Sequence, residues 1–131
     1  VAGDALFPVC APDVAARLRR VEDLAGVPCL SDASWAGDWT AWLSASGADV
    51  AVRGPVYSLY ALAVEEAVNG AGVLMGHGPL VAGPLAEGRL VAPFALRLPI
   101  ARGLRLWSAR PLAKGSAAAL VADFLCAGAQ A

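Results

Sequence analysis

The spacing of apolar and polar positions changes period along this chain, and each change marks an element. Val50, Val52 and Val56 form a short β-branched run, after which residues 57–70 (YSLYALAVEEAVNG) are apolar except at Ser58, Glu65, Glu66, Asn69 and the tyrosine hydroxyls. Such a segment predicts a helix with one narrow polar stripe, buried against a sheet. Ser58 is placed to cap its start and Asn69-Gly70 to supply the left-handed stop. Val73-Leu74-Met75, bounded by glycines, is too short for a helix and suits a strand parallel to the first. The three pieces predict a strand-helix-strand unit.

The rest of the chain reads as support for that unit. Residues 5–11 (ALFPVCA) predict a strand that Pro8 confines to an edge or a crossover. Pro12 opens a helix with Val14, Leu18 and Val21 on one face, followed by a turn over 22–26 and a short strand over 27–30. Trp35, Trp39, Trp42 and Leu43 fall at helical spacing, with Trp39 and Trp42 facing inward, Trp35 at the helix start and Gly47 as the stop. After His77-Gly78-Pro79 comes a short helix through Leu80, Val81 and Leu85, closed at Gly88. Residues 89–98 predict an edge strand and 103–110 a two-sided strand. Ser116 caps a last helix on which Leu120, Val121, Phe124 and Leu125 require a partner surface.

Composition narrows the class. The 131 residues suffice for one domain with a core, and 58% apolar against 16% charged residues is far from the signature of disorder. A net charge of -1 with ten scattered Lys and Arg excludes a nucleic-acid surface in this segment. Cys10, Cys29 and Cys126 form no CxxC pair and have one histidine between them, which predicts reduced, buried thiols in a cytoplasmic protein. No stretch reads as a membrane span or a signal peptide, and Val1 in place of a start methionine fits a piece of a longer chain.

No motif for chemistry is present: no GxSxG, P-loop, HExxH or GxGxxG. His77 has no carboxylate or cysteine at a fixed spacing and reads as a loop imidazole. Glu65 and Glu66 point about 100° apart on a helix and cannot share a proton. Neither a metal nor a cofactor is expected, and no nucleophile-base pair supports an enzyme. What remains is position. Tyr57, Ser58, Leu59 and Tyr60 lie where a strand ends and a helix begins, a place at which unpaired N–H groups favour an anion and ligands of open parallel sheets collect. Ser31, Asp32 and Trp35, beyond another strand end, line the same cleft on this reading; on the plainer one, Ser58 only caps and the aromatics only pack.

Five segments in this order carry a resemblance: LFPVCAP at 6–12, DLAGVPCL at 23–30, SWAGDWTAWLSASG at 34–47, RGPVYSLYALAVEEAVNGAGVLMG at 53–76 and LVAGPLAEGRLVAPF at 80–94. The chain resembles the effector-binding domain of LysR-type transcriptional regulators, in the subgroup of the glycine-cleavage and β-lactamase activators. The resemblance implies an α/β fold, a type 2 periplasmic-binding-protein-like lobe with a mostly parallel sheet flanked by helices. Residues 12–100 would be the second lobe, 5–11 and 103–110 the crossover strands, and 116–127 a helix docking on a first lobe outside the chain. It implies a non-enzymatic sensor of a small-molecule effector, acting as a homodimer or tetramer, with DNA bound only through a winged helix-turn-helix domain outside this chain and no membrane partner. The effector would meet Ser31, Asp32, Trp35, Tyr57, Ser58, Leu59, Tyr60, Met75 and His77. The subgroup usually has an acidic or hydroxyl-rich run where this chain has Ser58-Leu59-Tyr60, which predicts a more apolar or aromatic effector, its carboxylate held at the helix start. A transporter's solute-binding protein, built on the same lobe architecture, is the rival reading.

Overall fold

The computed structural model describes residues 2–128. Its elements are β1 (Ala2–Val9), α1 (Pro12–Ala15), a 3-10 segment (Val21–Gly26), β2 (Cys29–Asp32), a one-turn 3-10 helix (Ala33–Trp35), α2 (Asp38–Ser46), β3 (Val56–Tyr57), α3 (Tyr60–Val68), β4 (Val73–His77), α4 (Gly78–Ala86), β5 (Leu98–Leu104) and α5 (Ala117–Ala127). The described chain divides into two compact units, Ala5–Leu98 and the described parts of Val1–Asp4 with Pro99–Ala131. The strand order is β3-β2-β4-β1-β5.

In the unit Ala5–Leu98 the sheet is parallel where the helical crossovers lie. β2 pairs in parallel with β3 on one side and with β4 on the other. The strand-helix-strand unit is therefore real, but β2 runs between its two strands. β1 joins β4 antiparallel, with Pro8 opposite Met75 and Leu6 opposite His77. Pro8 has no N–H to donate, and within this unit β1 is the last strand, where the missing donor costs no ladder bond. Gly76 makes the close approach possible: a Cβ there would fall 2.7 Å from the Phe7 carbonyl oxygen.

The core forms where α3 lies on the sheet. Ala63, Val64 and Ala67 of the helix meet Leu30 of β2, Leu74 of β4, Phe7 and Val9 of β1, and Val81 and Leu90. Each fully buried leucine there contributes about 1.5–3 kcal/mol. Glu65 and Glu66 are exposed, but so are Ala61 and Leu62, so the side of α3 that faces water is wider than the narrow polar stripe predicted. The helix stops at Gly70, with φ of 86°, and α2 stops at Gly47, with φ of 73°, both in the left-handed region open to glycine. On α2, Trp39 and Trp42 are buried as their spacing predicts, their ring N–H groups donating to the Leu30 and Leu96 carbonyls. Arg97 covers the Phe7 ring at 4.0 Å.

The structure corrects several expectations. β2 begins two residues later than predicted, which puts Ser31 and Asp32 inside its carboxyl end. Ser58 does not cap α3: the residue before the helix is Leu59, with no side-chain cap bond. Residues 50–55 are not a ladder strand, although Arg53 and Pro55 carbonyls accept from the Cys29 and Ser31 N–H groups. The strand expected over 89–98 shrinks to a single bridge between Val91 and Cys10, and the returning strand is Leu98–Leu104 rather than 103–110. Cys126 is exposed, while Cys10 and Cys29 are buried.

In the second unit a Cβ on Gly103 would lie 2.7 Å from the Ala2 carbonyl oxygen, so β5 needs glycine at this approach. Ser116 caps α5, its Oγ accepting from the Ala119 N–H at 3.1 Å. Leu120, Val121 and Phe124 on α5 are 63%, 57% and 78% exposed, far beyond what an apolar helix leaves in water when its face is covered.

Candidate functional site at the strand ends

Three parallel strands end side by side, and each delivers a side chain or a turn to one place. β2 ends at Asp32, whose Oδ1 accepts from the Ser34 N–H at 2.7 Å and so caps the 3-10 turn that carries Trp35. β3 ends at Tyr57, three residues before α3 begins at Tyr60. β4 ends at His77, which is 3% exposed.

The imidazole is the centre of this arrangement. Its Nε2 lies 2.8 Å from Asp38 Oδ2, and both side chains are buried. A carboxylate only accepts, so the imidazole donates Nε2–H to it. The Tyr60 hydroxyl accepts from the His77 backbone N–H at 3.0 Å and donates to the Met75 carbonyl at 2.9 Å, bolting the first turn of α3 to the end of β4. The Trp35 ring lies over the imidazole, centroids 4.2 Å apart and planes tilted by 39°, and meets Tyr60 edge to face at 5.2 Å. Tyr60 in turn meets His77 edge to face at 5.5 Å. These separations fall at or near the range in which offset and edge-to-face ring pairs are favourable.

Of the residues expected at a ligand cleft, Ser31, Asp32, Trp35, Tyr60, Met75 and His77 line one small cavity. Tyr57 instead packs against the core beside α3, and Ser58 and Leu59 are exposed outside that cavity. Asp38 and Trp39, with Leu30 and Leu74, complete the lining and were not foreseen. Asp38 left a signal nonetheless: it stands three residues after Trp35 and four before Trp42, on the inward face of the helix, where a carboxylate needs a buried partner. His77 is not a loop imidazole but the last residue of a fully buried strand. The cavity itself measures about 10 Å³, room for at most one water molecule.

Among the described residues no group of histidine, cysteine, aspartate or glutamate side chains could hold a metal ion, and no helix is long and apolar enough to cross a membrane.

Comparison with known proteins gives the family. The model of the LysR substrate binding domain matches residues 1–129. The transcriptional activator AmpR of Rhodobacter capsulatus is 35% identical over 108 residues, 81% of this chain and 37% of that protein. The glycine cleavage system transcriptional activator of Escherichia coli K12 is 33% identical over 94 residues, 68% of this chain and 30% of that protein. The effector domain of AmpR of Pseudomonas aeruginosa superposes with a TM-score of 0.67 at 30% identity, over 74% of this chain and 47% of that one. The chain thus spans about a third of the length of these curated relatives. The fold is the type 2 periplasmic-binding-protein-like fold of LysR effector-binding domains, and the relatives are transcriptional activators rather than enzymes or transport proteins. This chain belongs to the LysR substrate-binding domain family, the effector-binding part of LysR-type transcriptional regulators.

Proposed function

We propose that residues 12–100 are the second lobe of an effector-sensing domain, which closes with a first lobe outside this chain on a small molecule and thereby changes the geometry of a DNA-bound homodimer or tetramer in the cytoplasm. The observation that carries this reading is the convergence of Asp32, Tyr60 and His77 where parallel strands end, the position at which open α/β sheets take ligands. The exposed apolar side of α5 supports it too, since a helix built this way fits against the missing lobe. DNA contact belongs to a winged helix-turn-helix domain elsewhere in such a regulator.

The effector on this reading is apolar or aromatic and bears a carboxylate. Rings from Trp35 and Tyr60 border the site, while the start of α3 lacks a side-chain cap and leaves its N–H groups to an anion. Ser31, Met75, Tyr57, Ser58 and Leu59 would form the wall and rim. Calorimetric titration of the full-length regulator with aromatic carboxylates and with small zwitterions tests this. Aromatic acids should bind and Tyr60→Ala should weaken them; binding of zwitterions alone, with Tyr60→Ala leaving affinity untouched, would sink the idea.

A further inference from the structure

Three tryptophans stand within eight residues, and one of them is held differently. Trp39 and Trp42 are 5% and 0% exposed, and each donates its ring N–H to a carbonyl, Leu30 at 2.9 Å and Leu96 at 3.2 Å. Trp35 is half-buried, and its ring N–H has no partner among the described residues. Its ring meets His77 at 4.2 Å and Tyr60, edge to face, at 5.2 Å, with no hydrogen bond from the indole itself. Its backbone belongs to a single 3-10 turn, followed by exposed Ala36 and Gly37. A side-chain rotation of Trp35 would move the indole while the Asp32 cap holds the turn and the two bonded tryptophans hold α2.

We infer that Trp35 competes with the effector: its indole occupies the face of His77 on which a flat aromatic or heteroaromatic ring of the effector binds, and it swings out as that ring enters. This rests on the effector-sensing reading and names the ligand class for the same site. With the indole in place the cavity holds about 10 Å³, far below the volume of any ring. Without it, the surface uncovered is the imidazole plane, clamped through Nε2 by Asp38 and through its backbone by the Tyr60 hydroxyl. Such a rigid plane rewards a second plane stacked on it, and the Tyr60 edge limits what fits beside it. A compact zwitterion cannot replace the ring contacts that Trp35 gives up. Specificity for flat ligands follows from what must be displaced.

The test uses indole as the probe, titrated by NMR into full-length wild-type protein and the Trp35→Ala variant, both with labelled tryptophan. Competition predicts that the variant binds indole at least tenfold more tightly than the wild type. Equal or weaker binding by the variant would make Trp35 a platform or a bystander and overturn the inference, as would a variant that is folded and binds no indole. Should the variant not fold, the wild type decides: the Trp35 ring N–H should exchange with water far faster than those of Trp39 and Trp42, and equal protection of the three overturns the inference. The effector-sensing reading fails separately, if a broad panel of small molecules moves neither protein while indole still enters the variant.

Discussion

His77 Nε2 and Asp38 Oδ2 lie 2.8 Å apart in a buried setting, joining the end of β4 to the first turn of α2 across 39 positions of sequence. A buried carboxylate deprived of its cationic or donating partner is expensive, more so than removing both groups together. His77→Phe, which keeps a ring beneath Trp35, should destabilise the chain by about 3 kcal/mol, and Asp38→Ala by a similar amount. The double variant should lose less than the sum, with a coupling above about 1 kcal/mol. Urea denaturation of the four proteins measures the coupling, and strict additivity would show the pair to be incidental.

The Tyr60 hydroxyl is a two-way bolt, accepting from the His77 N–H and donating to the Met75 carbonyl. Tyr60→Phe keeps the ring contacts and removes both bonds, leaving a donor and an acceptor of β4 without it. The expected loss is about 1–2 kcal/mol. Hydrogen exchange should show it locally, as faster exchange of the His77 amide with the rest of β4 little changed. An unaltered His77 amide would mean that water replaces the hydroxyl at no cost.

What the sequence made legible was local chemistry. Gly47, Gly70 and Gly88 stop helices because a left-handed residue is needed there, Ser116 caps α5, and the spacing of Trp39 and Trp42 turns both inward. What stayed hidden depends on pairing between distant segments. Ser58 has the chemistry of a cap, yet the chain is still extended at Leu59 and the helix starts one residue later than a Ser58 cap requires. Residues 89–97 have strand composition, but only Val91 forms a strand bridge, with Cys10, and Pro93 removes a donor two residues further on. The site was half legible: strand ends could be placed, whereas the Asp38–His77 bond and the Trp35–His77 stack come from the register of β4 against β2.

The three thiols should separate by reactivity. Burial pushes the Cys29 thiol up to about 12 and that of Cys10 up to about 11, the latter despite the opposing charge of Arg17. Rises of about two units for Cys10 and three for Cys29 from the ordinary 9.0 leave roughly a hundredfold and a thousandfold less thiolate at neutral pH, and limited access slows attack further. Iodoacetamide at neutral pH should therefore modify exposed Cys126 first, with Cys10 and Cys29 labelled only after denaturation. Mass spectrometry of peptides reads the order; labelling of Cys10 alongside Cys126 would contradict the burial of β1's end.

Asp23 gives the chain a definite response to acid. Its Oδ2 accepts from the backbone N–H groups of Arg19 and Arg20 at 2.8 and 3.0 Å, and these bonds, ahead of the two arginine charges, hold its carboxyl below the ordinary value of 3.8. A carboxylate with a depressed value in the folded chain binds protons more readily when unfolded. Its stabilisation is thus complete above the ordinary value and disappears as pH falls through the folded one. Asp23→Asn should lower the melting temperature by a constant, modest amount down to about pH 5, and the gap to wild type should close below about pH 4. Melting curves across this range decide the matter, since a gap that persists in strong acid would assign the effect to the shape of the turn rather than to the charge of Asp23.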